Sequence, residues 1–322
     1  MSKMKTVTVL GGSGFVGSSV VARLDQAGYR VKVLTRRREK AKHLILLPYV
    51  QVVECDIHDH SALKAQLKGS DAVINLIGIL HQTSDNGFEK MHHQFPRRVA
   101  QLCEELRIPR LLHMSALQAS ANAPSEYLRS KAAGDQAVME FSKKLHVTSF
   151  RPSVIFGTRD RFINLFAKLI QWIPVLALAM PQAKFQPIWV EDVAAAMVNA
   201  VDEPATYGKT YELGGPAIMT LQQIIEAVMK TIHVQRPIIG LSPKMSLLQG
   251  SFMQLLPIKL ISRDNVKSMQ VDNVCQQPMA NELCVVPTDM FAVISGYLVK
   301  NNPRGAYDHF RAAAGRVINA RR

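Results

Sequence analysis

Acidic residues, paired cysteines and long apolar runs are all scarce in this chain, and each shortage excludes something. The 25 Asp and Glu are outnumbered by 39 Lys and Arg, a formal charge of +14. An acidic, self-solvating surface is therefore excluded, and anionic partners such as phosphates or anionic lipids are favoured. The four cysteines (Cys55, Cys103, Cys275, Cys284) form no CxxC pair and no metal-ligand spacing. That removes a disulfide scaffold and a zinc ribbon, and leaves structural thiols in a reducing compartment.

The longest apolar stretch, LIQWIPVLALAM over residues 169–180, contains Gln171 and Pro174 and is too short to span a bilayer. MSKMKTV runs straight into a strand pattern, so no secretory leader is expected. The basic residues are spread out, with clusters only at 36–42 and at the C-terminal ARR. Neither an aromatic stacking platform nor finger spacing accompanies them, so nucleic acid is not an expected partner. The ten histidines show neither HExxH nor a carboxylate-paired HxH, so no metal site is expected, and His92 and His93 read as surface or packing residues.

What the chain does have is alternation. Short β-branched runs (KTVTVL, RVKVLT, VQVVEC, DAVINLIG, RLLHMSA, VTSFRPS) are separated by helix-like stretches over 15–28, 61–69, 88–108 and 125–145. Apolar strands with intervening helices predict an α/β fold, a doubly wound parallel sheet of Rossmann type covered on both faces. After Gly157 the rhythm changes. A helical stretch is expected over 162–178, then a strand-turn-helix in FQPIWVEDVAAAMVNAV, a strand in YELGGP, and a mainly helical last third. The expected domains are 1–157 for nucleotide binding, with 186–214 returning to it, and a smaller lobe from 158–185 and 215–322. Asp192 reads as a helix-positioning residue rather than a catalytic one.

The glycine cluster GGSGFVG lies between the first strand and the first helix. Gly11 permits the tight turn, Gly14 lets backbone approach a pyrophosphate, and Gly17 lets helix and strand pack closely. The helix start offers N–H groups and positive dipole to phosphates. At the end of the second strand stand Thr35, Arg36 and Arg37, where an NAD site commonly carries an acid. Arginine pairs with a 2′-phosphate, so NADP(H) is favoured over NAD(H). Asp56 is placed to meet the adenine or to cap a helix, and Gly78 leaves room for the cofactor at the end of the fourth strand.

Tyr127 is the only tyrosine followed four residues later by a lysine, Lys131, which puts both on one helical face. A nearby ammonium lowers a tyrosine pKa towards a range useful for proton transfer. Ser115, leaving the fifth strand, can hold a substrate carbonyl. The expected catalytic set is Ser115, Tyr127 and Lys131.

Together GGSGFVG, YLRSK, RPSVIFG and FQPIWVEDVAAAM resemble the extended or atypical branch of the short-chain dehydrogenase/reductase superfamily. More narrowly, HMSALQA, YLRSKAAGD, PIWVEDVA, YELGGP and LLPIKLISRDNVKSMQVDN are similar to the group named after the nucleotide-binding accessory subunit of respiratory complex I. The resemblance implies a cofactor site on Gly11, Gly14, Gly17, Arg36 and Asp56, with Phe15, Val16, Arg37, Gly78, Lys131, Pro152 and Val154 around it. It also implies hydride transfer to or from a carbonyl or carbinol carbon of a small, lipophilic or quinone-related substrate. Two alternatives stand beside that: a non-catalytic, nucleotide-holding partner of a respiratory or quinone-related complex, and a nucleotide-sugar epimerase or dehydratase. HHQFPRR departs from the pattern, which would place an asparagine near His93. The expected location is the cytoplasm, with peripheral attachment at the inner membrane face. For that attachment the apolar second lobe and its basic residues (Arg159, Arg161, Lys168, Lys259, Arg263) would suit an anionic membrane.

Overall fold

The computed structural model describes residues 4–82, 87–253 and 261–299. Lys259, the C-terminal ARR and the other residues assigned above to 300–322 lie outside them. Six strands, β1 (Thr6–Leu10), β2 (Arg30–Thr35), β3 (Val50–Glu54), β4 (Ala72–Asn75), β5 (Arg110–Met114) and β6 (His146–Pro152), are followed by the short β7 (Ile155–Phe156), β8 (Leu176–Ala179), β9 (Lys184–Phe185) and β10 (Ile188–Trp189). β11 (Lys209–Leu213), β12 (Met219–Thr220) and β13 (Ile238–Leu241) complete the set. The helices are α1 (Phe15–Gln26), α2 (His60–Leu67), α3 (Phe95–Glu105), α4 (Glu126–Met139), α5 (Ile163–Trp172), α6 (Val190–Asn199), α7 (Leu221–Thr231), α8 (Pro243–Met253), α9 (Arg263–Ser268) and α10 (Met290–Leu298).

The main sheet has seven strands in the order β11-β6-β5-β4-β1-β2-β3, with every pairing parallel. Strand order reverses between β1 and β4, and the crevice at such a reversal is where doubly wound folds bind ligands. Residues of β1 alternate between two cores. Val7 and Val9 pack with Val20, Leu24, Val193 and Met197 beneath α1 and α6. Leu10 joins Phe95, Val99 and Leu111 beneath α2 and α3. Burial on both faces explains why the strands read as near-continuous apolar runs.

The second lobe has its own core, in which Ile163, Ile170, Leu178, Ile224, Val228 and Ile294 meet from α5, β8, α7 and α10. Most of the apolar residues over 162–178 are used here, but not as one helix. Helix α5 stops at Trp172, and LALA pairs with β13 as a strand instead. Pro174 is the reason: it lacks an N–H and pushes the preceding residue out of helical geometry. Similarly, the stretch 88–108 does not start as an α-helix. Glu89–Gln94 forms a π-helical turn that passes into α3, with Pro96 in the first turn. The missing proline N–H coincides with the change of hydrogen-bond register.

Among the described residues, the stretch 270–289 is also less helical than the composition of the last third suggests. Residues 273–288, irregular except for a 3-10 turn at Asn281–Leu283, run along the nucleotide-binding half. Val274 O accepts from Gln118, Leu283 enters the core under α6, and Asp192 takes both the Thr288 N–H (2.7 Å) and its hydroxyl (3.1 Å). Asp192 thus positions the returning C-terminal segment from the first turn of α6. Of the described residues in 215–299, those over 273–288 thus pack on the Rossmann half. The stretch 186–214 supplies α6 and β11 to that half. Buried Arg110 closes the lower edge of the sheet, donating to Ala200 O, Val201 O, His146 O, Thr148 and Thr206.

Candidate active site

Geometry at the glycine turn follows from the absence of three side chains. Gly11 sits at φ +82°, in the left-handed region that favours glycine, and a Cβ on Gly17 would collide with the Gly11 carbonyl oxygen. At Gly14 the only neighbour of an added Cβ is Gly11 O, at 3.1 Å, and the residue is exposed. No side chain caps α1 and no acid occupies its first turn, so the Phe15, Val16 and Gly17 end of the helix presents backbone N–H groups and positive dipole outward. These are the properties a pyrophosphate requires, and the turn fits one.

At the end of β2, Thr35 is buried while Arg36 and Arg37 are exposed, and neither guanidinium forms an ion pair among the described residues. Asp56 is exposed beyond β3, where its Oδ1 accepts the His58 N–H at 2.9 Å. The cap of α2 is Asp59 instead, accepting from Ala62 at 3.0 Å. Pro152 and Val154 flank the end of β6, where their carbonyls accept from Leu117 and Ile188.

Ser115 and Lys131 come together at the end of β5. The Lys131 ammonium is buried and donates to Met114 O at 2.9 Å, and Ser115 Oγ donates to Lys131 O at 3.4 Å. Gly78 faces them from the end of β4, so that a Cβ there would lie 3.2 Å from Lys131 Nζ. Tyr127 stands one helical turn before Lys131, its ring half-buried against Phe88 and His92. Electrostatics differ from the expectation drawn from spacing. Burial pushes the Tyr127 hydroxyl up to about 12 and the Lys131 ammonium down to about 8. Desolvation outweighs attraction because the ammonium is directed at a carbonyl, and each charged form is taken out of water.

Several residues that the spacing did not single out hold this set in place. His92, on the π-helical turn, accepts the Ile79 N–H on Nε2 (2.9 Å), so its proton is on Nδ1, facing Ser130 Oγ at 2.9 Å. Ser130 then donates to Tyr127 O at 2.7 Å. One neutral imidazole thereby links the loop after β4 to the first turns of α4. A Cβ on Gly134 would collide with His92 O, so α4 and the π-helical turn touch backbone to backbone. Asp264, at the start of α9, accepts the N–H groups of Glu126 (2.8 Å) and Tyr127 (3.0 Å). Below Lys131, buried Asp135 takes the Ser149 hydroxyl and Arg151 Nε, the latter at 2.7 Å. Beside it, His113 accepts from Asn75 on Nδ1 at 3.3 Å, and its buried Nε2 has no hydrogen-bond partner among the described residues. The His92-His93 doublet was the one visible signal for this layer. Asp264, more than a hundred residues from Tyr127, carried none.

Among the described residues no group of three or more His, Cys, Asp or Glu could hold a metal ion, and no helix is long and apolar enough to cross a membrane.

Comparison with known proteins agrees with this arrangement. Over 235 residues the chain is 36% identical to the mitochondrial NADH dehydrogenase [ubiquinone] 1 alpha subcomplex subunit 9 of Arabidopsis thaliana, covering 70% of this chain and 58% of that protein. It thus spans less than two thirds of that relative's length. The ceramide reductase of Caulobacter vibrioides is 31% identical over 193 residues, 60% of this chain and 59% of the reductase. Among solved structures, the NADPH-dependent quinone oxidoreductase QOR2 of Escherichia coli, complexed with NADPH, superposes with a TM-score of 0.72 at 17% identity, covering 92% of this chain and 99% of that one. At that identity the likeness is one of fold. Residues 7–214, which hold the glycine turn, the Ser115-Tyr127-Lys131 set and all of the seven-stranded sheet but Thr6, match the NAD dependent epimerase/dehydratase family, and the chain belongs to that family.

Proposed function

We propose that this chain is an NADP(H)-dependent oxidoreductase acting on a carbonyl or carbinol of a small, lipophilic or quinone-related molecule. The observation that carries the reading is the meeting of Lys131, Ser115 and Gly78 at the carboxyl ends of β4 and β5, beside the glycine turn. Gly11, Gly14, Phe15, Val16 and Gly17 would hold the pyrophosphate, Arg36 and Arg37 a 2′-phosphate, and Asp56 the adenosine end. Gly78, Lys131, Pro152 and Val154 border the nicotinamide end. When bound, the nicotinamide supplies or takes up the hydride. Tyr127 gives the carbonyl oxygen its proton, Lys131 stabilises the phenolate left behind, and Ser115 orients the oxygen. The apolar second lobe and the ceramide reductase relative favour a lipophilic substrate over a sugar nucleotide.

A second reading rests on one specific observation. Tyr127 is raised towards 12 rather than lowered, and a protein that only holds the nucleotide for a respiratory complex has no need to tune it. Turnover on a panel of ketones and quinones decides between the two: oxidation of NADPH supports the enzyme, and its absence with every acceptor supports the holding role.

Cofactor choice has its own test. In thermal-shift titrations NADPH should bind about tenfold more tightly than NADH, as expected for one charge-assisted phosphate contact. Replacing Arg36 and Arg37 together with alanine should erase that preference and leave NADH affinity unchanged. If neither dinucleotide raises the melting temperature, the reading of the glycine turn fails.

A further inference from the structure

Helix α8 is turned the wrong way round for a helix in water. Ser246 and Gly250 face inward: Ser246 Oγ accepts the Met180 N–H at 3.1 Å, and a Cβ on Gly250 would meet Arg263 N at 3.0 Å. On the opposite side, Met245, Leu248 and Phe252 follow at three- and four-residue steps and point into solvent, with Phe252 67% and Leu248 63% exposed. Helix α8 packs beside the β8–β13 ribbon, and further apolar residues are exposed on the same lobe. There Ile239 is exposed, and Trp172, 85% exposed, stands where α5 leads into β8. A monomer in water gains nothing from exposing so many large apolar side chains on one lobe, and exposed apolar patches mark interaction sites.

Charge around the face identifies the partner. The two segments that build it, 161–190 and 227–253, contain no Asp or Glu at all. They carry Lys168, one turn before Trp172 on α5, and Lys244, next to Met245 on α8. Both are exposed, and neither forms an ion pair among the described residues. Exposed tryptophan, phenylalanine and leucine on acid-free, lysine-bearing segments fit the interface of an anionic bilayer. We propose that the α5–α8 face docks this protein on anionic lipid, with the apolar side chains entering the headgroup boundary and the lysines meeting phosphates.

The helix that carries this face is also linked to the site, through its opposite, buried side. Helix α8 packs on α9, and Asp264 of α9 holds the Glu126 and Tyr127 N–H groups at the start of α4. A lipophilic substrate dissolved in the bilayer would then enter beside the helix that carries Tyr127. This last step rests on the oxidoreductase reading above, whereas the docking itself does not.

The experiment is co-sedimentation of the full chain with protein-free vesicles, either phosphatidylcholine alone or equal parts phosphatidylcholine and phosphatidylglycerol, without cofactor or substrate. The expected result is binding to the anionic vesicles, weakened by salt, with a blue shift of Trp172 fluorescence in a Trp189→Phe background. Leu248→Ser with Phe252→Ser should reduce partitioning at least about tenfold while leaving the melting temperature unchanged, because both side chains are exposed. Lys168→Gln and Lys244→Gln should each cost about fivefold, on anionic vesicles only. Three results overturn the proposal: no binding to anionic vesicles, binding unaffected by the serine pair, or binding to protein-containing native membranes but not to the vesicles. The last would make the occupant a protein. Because vesicle binding is read without turnover, its failure is separable from failure of the enzymatic reading.

Discussion

Tyr127→Phe should lower kcat for carbonyl or quinone reduction by about a hundredfold to ten-thousandfold, the usual contribution of a positioned general acid. Folding should hardly change. The ring keeps its edge contacts with Phe88 and His92, and the 2.7 Å bond from Ser130 goes to the backbone carbonyl, which the substitution leaves intact. NADPH affinity should also persist, since the phosphate-binding turn lies on another element. The pH profile gives the same mechanism a second signature. Tyr127 stays protonated throughout the physiological range, with its hydroxyl near 12, so it does not limit the acid form. Lys131, held down to about 8, is the group that changes. Near neutral pH reduction rates should be level, and above about 8 they should fall, as the ammonium that would receive the phenolate loses its charge. In the oxidative direction this charge is equally required, so a rise above 8 would contradict the assignment. Equal activity in the phenylalanine variant would move the chemistry to other residues.

Residue spacing makes some of this site legible and leaves the rest invisible, for identifiable physical reasons. Glycines at 11, 14 and 17 are readable because the left-handed turn at Gly11 favours glycine and the Gly11 carbonyl leaves little or no room for a Cβ at 14 and 17. Alternation of strand and helix is readable because a sheet buried on both faces needs uninterrupted apolar strands. Tyr127 and Lys131 are readable as a pair because four residues make one helical turn. What spacing cannot convey is the solvent. The same pair suggests a lowered tyrosine pKa, and burial reverses the sign. Nor does spacing convey contacts made across the chain. The closure of α4 by Asp264, the return of 273–288 to the sheet and the direct contact of Gly134 with His92 depend on how separate elements meet. Composition failed at Pro174 in a different way: apolar content suggested one long helix, and a single missing N–H divided it into a helix and a strand.

Acid should unfold this protein unusually early, because two histidines are locked in their neutral form. Burial, aided by the positive charge of Lys131, holds His92 down to about 2 and His113 to about 3, against an ordinary value of 6.5. For each, the folded pKa lies below the unfolded one. The unfolded chain therefore binds more protons between those limits, and stability is retained above 6.5 and lost as pH falls through the window. Partners differ for the two rings. His92 is fixed by Ile79 and Ser130, where a proton on Nε2 would oppose the Ile79 N–H. His113 meets Asn75, with Lys131 disfavouring its charge and Asp135 favouring it. Each histidine should cost about 2 kcal/mol on going from pH 7 to pH 5, and the two together about 4 kcal/mol, a large share of a domain's stability. Urea unfolding at the two pH values measures this directly. His113→Asn and His92→Gln should each reduce the difference between pH 7 and pH 5 by about half, whatever they do to stability at pH 7. A difference that survives both substitutions would place the acid sensitivity in the carboxylates instead. If the buried pair is responsible, acid will also loosen the contact between α4 and the loop after β4 that positions Tyr127. Activity and stability should then fall together at low pH, while above pH 8 activity falls alone.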